Sequence, residues 1–232
     1  MLNVMIVSGF IFLSVSIGGG IAWLFSALFR QTTHHLSLLC GGFLIGLLLL
    51  EIIPSSLQMY ELLSLILGFL IGHLLFLILH HFFYQTNLQK QSVYLLTIAI
   101  LIHTIPLSLT IGNLLGNATL GIALTASIVL HHLPEGFAIT TIMLSQGEKL
   151  LGLLLYFTGF AAFFGVFVWL GYYTNLSNVS GGILIGISIG LIASTSISEF
   201  IVHNVRATSK INVLTYLLIG YLLSFGFHLV IG

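Results

Sequence analysis

The sequence predicts an all-α integral membrane protein, a single polytopic domain over residues 1–232 with eight transmembrane helices. Three observations carry this. Charge is scarce: the 232 residues hold five Lys and Arg, five Glu and no Asp, so that 4% are charged and 58% apolar. A soluble domain carries roughly 25% charged residues, and no water-facing surface can be built from so few. Polar breaks divide the chain into eight apolar stretches, each long enough to cross a bilayer. Finally, the cations fall only in alternate breaks.

The stretches lie near residues 2–29, 36–58, 62–84, 92–114, 118–144, 150–173, 180–203 and 211–231. Each supplies the ~20 residues that span about 30 Å of hydrocarbon. The first does not have the form of a cleavable signal peptide, because it lacks a basic leader and its first cation, Arg30, follows the apolar run. Arg30 lies between stretches one and two, Lys90 between three and four, Lys149 after five, and Arg206 and Lys210 after seven. The odd connections are therefore expected in the cytoplasm and both termini outside, in a multi-pass cell-membrane protein. A formal charge of zero with no basic patch argues against a nucleic-acid partner. Cys40 stands alone, which excludes an intrachain disulfide and a Cys-based zinc motif.

Ionisable residues inside a span are costly and mark a site or a path by default. Here they are Glu51, His73, His103, His131, His132, Glu135, Glu199, His203 and His228. The three prolines, Pro54, Pro106 and Pro134, each follow one of these by three positions: Glu51, His103 and His131. A helical proline removes a backbone bond and kinks the helix, and within lipid the freed carbonyl must face protein or a water-filled cavity. Stretches four and five thus share a His-x-x-Pro element. Antiparallel neighbours would bring both elements to one depth.

His131 and Glu135 share a helix face, with Cβ atoms about 5–6 Å apart. An imidazole and a carboxylate at that spacing can ligate one divalent cation, and His103 would add a third protein ligand. Zn²⁺ takes these donors at roughly 2.0–2.2 Å, and Fe²⁺ and Mn²⁺ share the set. His132 points about a quarter turn away, placed to supply a neighbouring site or to orient the ligands of this one. His73 and His228 read as hydrogen-bonded packing residues, and His34, His35, His80 and His81 as interfacial. Glu51 reads equally as a path residue or as a carboxyl bonded to a neighbouring helix. In stretch seven, Gly182, Gly186, Gly190, Ser194 and Ser198 form a small-residue stripe that permits close helix packing. The adjoining stripe Thr195, Glu199 and His203 is either the inner end of an ion path or a polar helix end.

On these residues the chain resembles the ZIP family of divalent-metal transporters. The family carries His-Asn-x-Pro-Glu-Gly on spans four and five. Span five here reads His131-His132-Leu133-Pro134-Glu135-Gly136, and Glu51-Ile52-Ile53-Pro54 and the Gly-rich span ending in Glu199 are also similar. Span four keeps His103 and Pro106 but has Thr104 for the Asn and Leu107 for the Glu, and span six has no carboxylate. The resemblance implies a metal site of His103, His131 and Glu135 with His132 beside it, and a mononuclear site, since Leu107 stands where a fourth ligand is expected. It implies a path that includes Glu51, Thr104, Glu199 and His203. It also implies a transported divalent metal rather than a bound cofactor, a homodimer in the lipid bilayer, alternating access, and uptake toward the cytoplasm without enzymatic activity. Two alternatives stand beside it: a non-transporting or sensory relative, motivated by the altered span four, and an intramembrane metal-dependent hydrolase. The absence of His-Glu-x-x-His and of any Asp speaks against the hydrolase.

Overall fold

The computed structural model describes residues 2–28, 33–85, 91–115, 118–145, 147, 149–174 and 176–231. Regular structure among these is entirely helical. The elements are α1 (Leu2–Leu28), α2 (Thr33–Leu47), α3 (Ile53–Met59), α4 (Leu62–Gln85), α5 (Gln91–Leu114), α6 (Ala118–Ser145), α7 (Leu150–Tyr172), α8 (Asn178–Thr195), α9 (His203–Val205) and α10 (Lys210–Ile231). Five helical runs among the described residues are long and apolar enough to cross a membrane: 3–26, 34–59, 62–82, 150–172 and 178–205. Ile100–Leu114 and Lys210–Gly226 are shorter apolar helices. This is the build of a helical membrane protein. Arg30 and Lys90, two of the five cations used for orientation, lie outside the described residues.

Two of the long runs are interrupted by π-helical segments, at Leu48–Ile52 between α2 and α3 and at Ser196–Val202 between α8 and α9. In each, a backbone N–H reaches back five residues, from Ile53 to the Leu48 carbonyl and from His203 to the Ser198 carbonyl. The local chemistry accounts for both. Pro54 follows the first segment and cannot donate. At the second, the Asn204 amide donates to the carbonyls of Glu199 and Phe200 at 3.0 and 3.1 Å. Such wide turns are rare and concentrate at functional sites. Each one here contains a glutamate, Glu51 or Glu199.

The helices pack backbone against backbone in four pairs, each made close by a glycine on both partners. Between α1 and α6, a Cβ on Gly18 would lie 1.9 Å from the Leu133 carbonyl oxygen, and one on Gly136 would lie 2.2 Å from the Val15 carbonyl oxygen. Between α4 and α8 the same holds for Gly68 against Ile183 and Gly186 against Leu65. Pairs α2–α10 and α5–α7 repeat the arrangement through Gly42 with Gly220 and Gly112 with Gly171. In lipid no hydrophobic force drives helices together, so this contact between small residues is what holds them. The Gly-rich stripe of α8 is thus a packing face, as its spacing predicted.

The interior holds an apolar core, and the outer surface is apolar as well. Large apolar side chains such as Phe10 on α1, Leu70 on α4, Leu155 on α7 and Leu222 on α10 face outward. His103, Ser108, His131, His132, Glu135 and Ser188 are buried instead. An outer surface this apolar suits hydrocarbon as its solvent. Among the described residues α5 and α6 carry half of the buried polar side chains, and they contact each other as well as α1, α2, α7 and α8.

Candidate metal centre

Pro106 and Pro134 lie inside α5 and α6, and each is followed within two turns by hydroxyl residues that bond back to their own helix. Thr110 donates to the Pro106 carbonyl at 2.9 Å, and Thr141 donates to the Phe137 carbonyl at 2.9 Å. Upstream, Ser108 donates to the Thr104 carbonyl at 2.7 Å, and Thr104 donates to Ile100 at 2.6 Å. Thr104, a predicted path residue, therefore spends its hydroxyl within α5 and is fully buried.

One turn on each helix presents the chemistry. His103 from α5 and His131 and Glu135 from α6 converge: the His103 Nε2 lies 2.8 Å and the His131 Nε2 lies 2.9 Å from the same carboxylate oxygen, Glu135 Oε1. One ligand atom from each of the three residues lies within 4.8 Å of the others. The two imidazoles meet edge to face with centroids 5.8 Å apart. All three side chains are buried, His131 completely. The 2.9 Å approach of His131 to the carboxylate lacks hydrogen-bond geometry, and neither of its ring nitrogens has a hydrogen-bond partner. Burying polar atoms in this way is costly unless something binds them.

The donor set fits a divalent cation. Two ligand atoms on one tetrahedral zinc, each bonded at 2.0–2.1 Å, lie roughly 3.3 Å apart. The nitrogen–oxygen separations of 2.8 and 2.9 Å would need to widen only slightly to admit the ion.

His132 stands beside the cluster rather than in it. Its Nδ1 is 3.6 Å from Glu135 Oε2, and its ring is packed against Phe160 and Phe164 with centroids 5.3 and 5.4 Å away. Neither of its nitrogens has a hydrogen-bond partner. Leu107 is buried in the apolar core and offers no donor. A cleft beside the cluster is lined by His103, Glu135, Thr195, Ser196, Ile192 and Phe200. The hydroxyls of Thr195 and Ser196 are buried there without a hydrogen-bond partner. Thr195 was legible as part of a polar stripe, but Ser196 was not singled out, although it directly follows Thr195 at the end of a Gly-rich span.

The remaining sequence-predicted residues lie apart from this cluster. Glu51 Oε2 sits 2.8 Å from His228 Nδ1 on α10, so it is bonded to a neighbouring helix. Glu199 Oε1 accepts from Ser198 at 3.3 Å and lies 3.9 Å from His80 Nε2 on α4. His203 begins α9 and is exposed. His73 bonds Ser194 at 2.9 Å, the packing role its isolation suggested. Sequence spacing could not find the partners His228 and His80, which lie 177 and 119 residues from the glutamates they meet. No protein-family model and no curated protein matches the chain.

Proposed function

We propose that this chain is a ZIP-like transporter that carries a divalent metal cation, Zn²⁺ first among them, across a cell membrane. One observation supports the reading above the rest: His103, His131 and Glu135, from two proline-containing helices, aim three donor atoms at one buried point. Transport requires a site that is strong enough to strip water from the ion and open enough to release it. Three protein ligands, with hydroxyls of Thr195 and Ser196 across an adjoining cleft, have that character.

In this reading the chain spans the bilayer eight times, with α2–α3 and α8–α9 each counted as one span through their π-helical segments. α5 and α6 are kinked at Pro106 and Pro134, both termini lie outside the cytoplasm, and the unit is a homodimer. Glu51, Glu199 and His203 stand along the route above and below the central site, and His132 tunes the carboxylate from the side. Uptake follows when one group of helices moves against the other and exposes the site to alternate faces.

Purified protein in liposomes tests the proposal directly. Zn²⁺ should enter loaded vesicles, and His131→Ala or Glu135→Ala should abolish the flux. Liposomes with wild-type protein that are no more permeable to Zn²⁺, Fe²⁺ or Mn²⁺ than empty ones would sink it.

A further inference from the structure

The backbone that carries His103 has a partner outside the metal cluster. Pro106 supplies no N–H, so the Ile102 carbonyl loses its helical donor, and the proline ring crowds the turn that holds His103. Within hydrocarbon, a turn loosened in this way is re-satisfied by side chains of neighbouring helices. Ser188 on α8 bonds the carbonyl next to the freed one, on the same turn. Its fully buried hydroxyl donates to the His103 carbonyl at 2.9 Å. The alternative acceptor in its own helix, the Leu184 carbonyl, is 3.4 Å away, so the bond between helices is the better of the two. A second serine does the equivalent on the other ligand helix: Ser14 of α1 donates to the Val129 carbonyl of α6, just ahead of His131 and Pro134.

We propose that Ser188 is a positioning residue for His103, clamping the loosened turn of α5 so that the ring meets Glu135. This inference rests on the metal-binding reading of the cluster. The same helix that supplies the clamp also supplies Thr195 and Ser196 to the cleft beside His103 and Glu135.

The test uses the full chain in detergent, with Zn²⁺ alone as the binding probe and Co²⁺ as a spectroscopic reporter. Ser188→Ala is expected to weaken Zn²⁺ binding about tenfold, the effect of losing one hydrogen bond that orients a ligand. It is also expected to shift the visible Co²⁺ bands, because one imidazole no longer meets the ion squarely. Ser188→Thr keeps the hydroxyl and should restore both readouts. A serine with a merely structural role would lower the melting temperature of the metal-free Ala variant and leave Zn²⁺ affinity and Co²⁺ bands unchanged, which overturns the proposal. Weakening in both the Ala and Thr variants also overturns it, since the hydroxyl is then not the cause. If Ser188→Ala does not fold, Ser188→Cys, of similar size with a weak donor, carries the same comparison. Wild-type protein that binds no Zn²⁺ defeats the metal reading itself, whereas equal binding by wild type and Ser188→Ala defeats only the clamp.

Discussion

Replacing Glu135 by Gln separates a metal ligand from a structural carboxylate, because the two roles predict opposite responses to added Zn²⁺. The substitution keeps the shape of the side chain and removes its charge. Oε1 of Glu135 is the point that both imidazoles approach, at 2.8 and 2.9 Å, so the amide loses the one anionic donor in the cluster. Losing even an outer partner of a metal ligand costs 10–100-fold in affinity, so losing this inner ligand should weaken binding by about a hundredfold or more. The consequence for stability follows by mass action. At a Zn²⁺ concentration a hundred times the wild-type dissociation constant, bound metal stabilises the wild type by about 2.7 kcal/mol. The variant at the same concentration reaches only its own dissociation constant and gains about 0.4 kcal/mol. Thermal unfolding of detergent-solubilised protein, with and without Zn²⁺, reads this difference. The wild type should melt several degrees higher with metal, and Glu135→Gln should barely respond. Without metal the two should be close, because glutamine keeps the shape of the side chain and a carbonyl oxygen at the point both imidazoles approach. An equal Zn²⁺ response in both proteins would refute the assignment of Glu135 as a ligand. A large loss of stability in the metal-free variant alone would show that the carboxylate serves packing instead.

Two further outcomes follow from the same geometry. Because His103 and His131 must each present a bare nitrogen to the ion, binding displaces protons. Zn²⁺ and protons compete for the ligand atoms, so Zn²⁺ affinity should fall as pH falls, readable by titration calorimetry in buffers of different ionisation enthalpy. The contact between α1 and α6 should tolerate no side chain at Gly18, where a Cβ would lie 1.9 Å from the Leu133 carbonyl oxygen, whereas Gly20 has nothing within 4 Å. Gly18→Ala should destabilise the protein by about 1–3 kcal/mol and weaken Zn²⁺ binding by displacing the helix that carries His131 and Glu135, while Gly20→Ala should change neither in the same melting and binding assays.

What the sequence made legible, and what it did not, divides along a physical line. The apolar stretches could be read because hydropathy reports the solvent directly, and each of the eight coincides with helix in the described residues. The face shared by His131 and Glu135 could be read because helical periodicity fixes neighbours four apart. Pairing them with His103 took one more step, the matching distance from each histidine to its proline. The π-helical segments were not legible. They arise from the pattern of backbone bonding around Pro54 and from the Asn204 amide reaching the carbonyls of Glu199 and Phe200, and neither leaves a hydropathy signal. Helix pairing was equally hidden: Gly68 and Gly186 are each plain in the sequence, but nothing local says that they face each other.

The same division explains the polar partners. In hydrocarbon a buried polar atom must find a hydrogen bond or an ion, so every intramembrane His, Glu or Ser in the sequence implies that a partner exists. It does not name the partner, because that choice depends on contacts between distant segments. Glu51 finds His228, His73 finds Ser194, and the turn beside Pro106 finds Ser188. His131 stands out against this background: its Nε2 approaches Glu135 Oε1 without completing a hydrogen bond, and the nitrogens of His132 have no hydrogen-bond partner. The buried hydroxyls of Thr195 and Ser196, which line the cleft beside the cluster, lack a hydrogen-bond partner as well. Under the proposed metal-binding reading, a cation held between His131 Nε2 and Glu135 Oε1 supplies the partner that the protein does not.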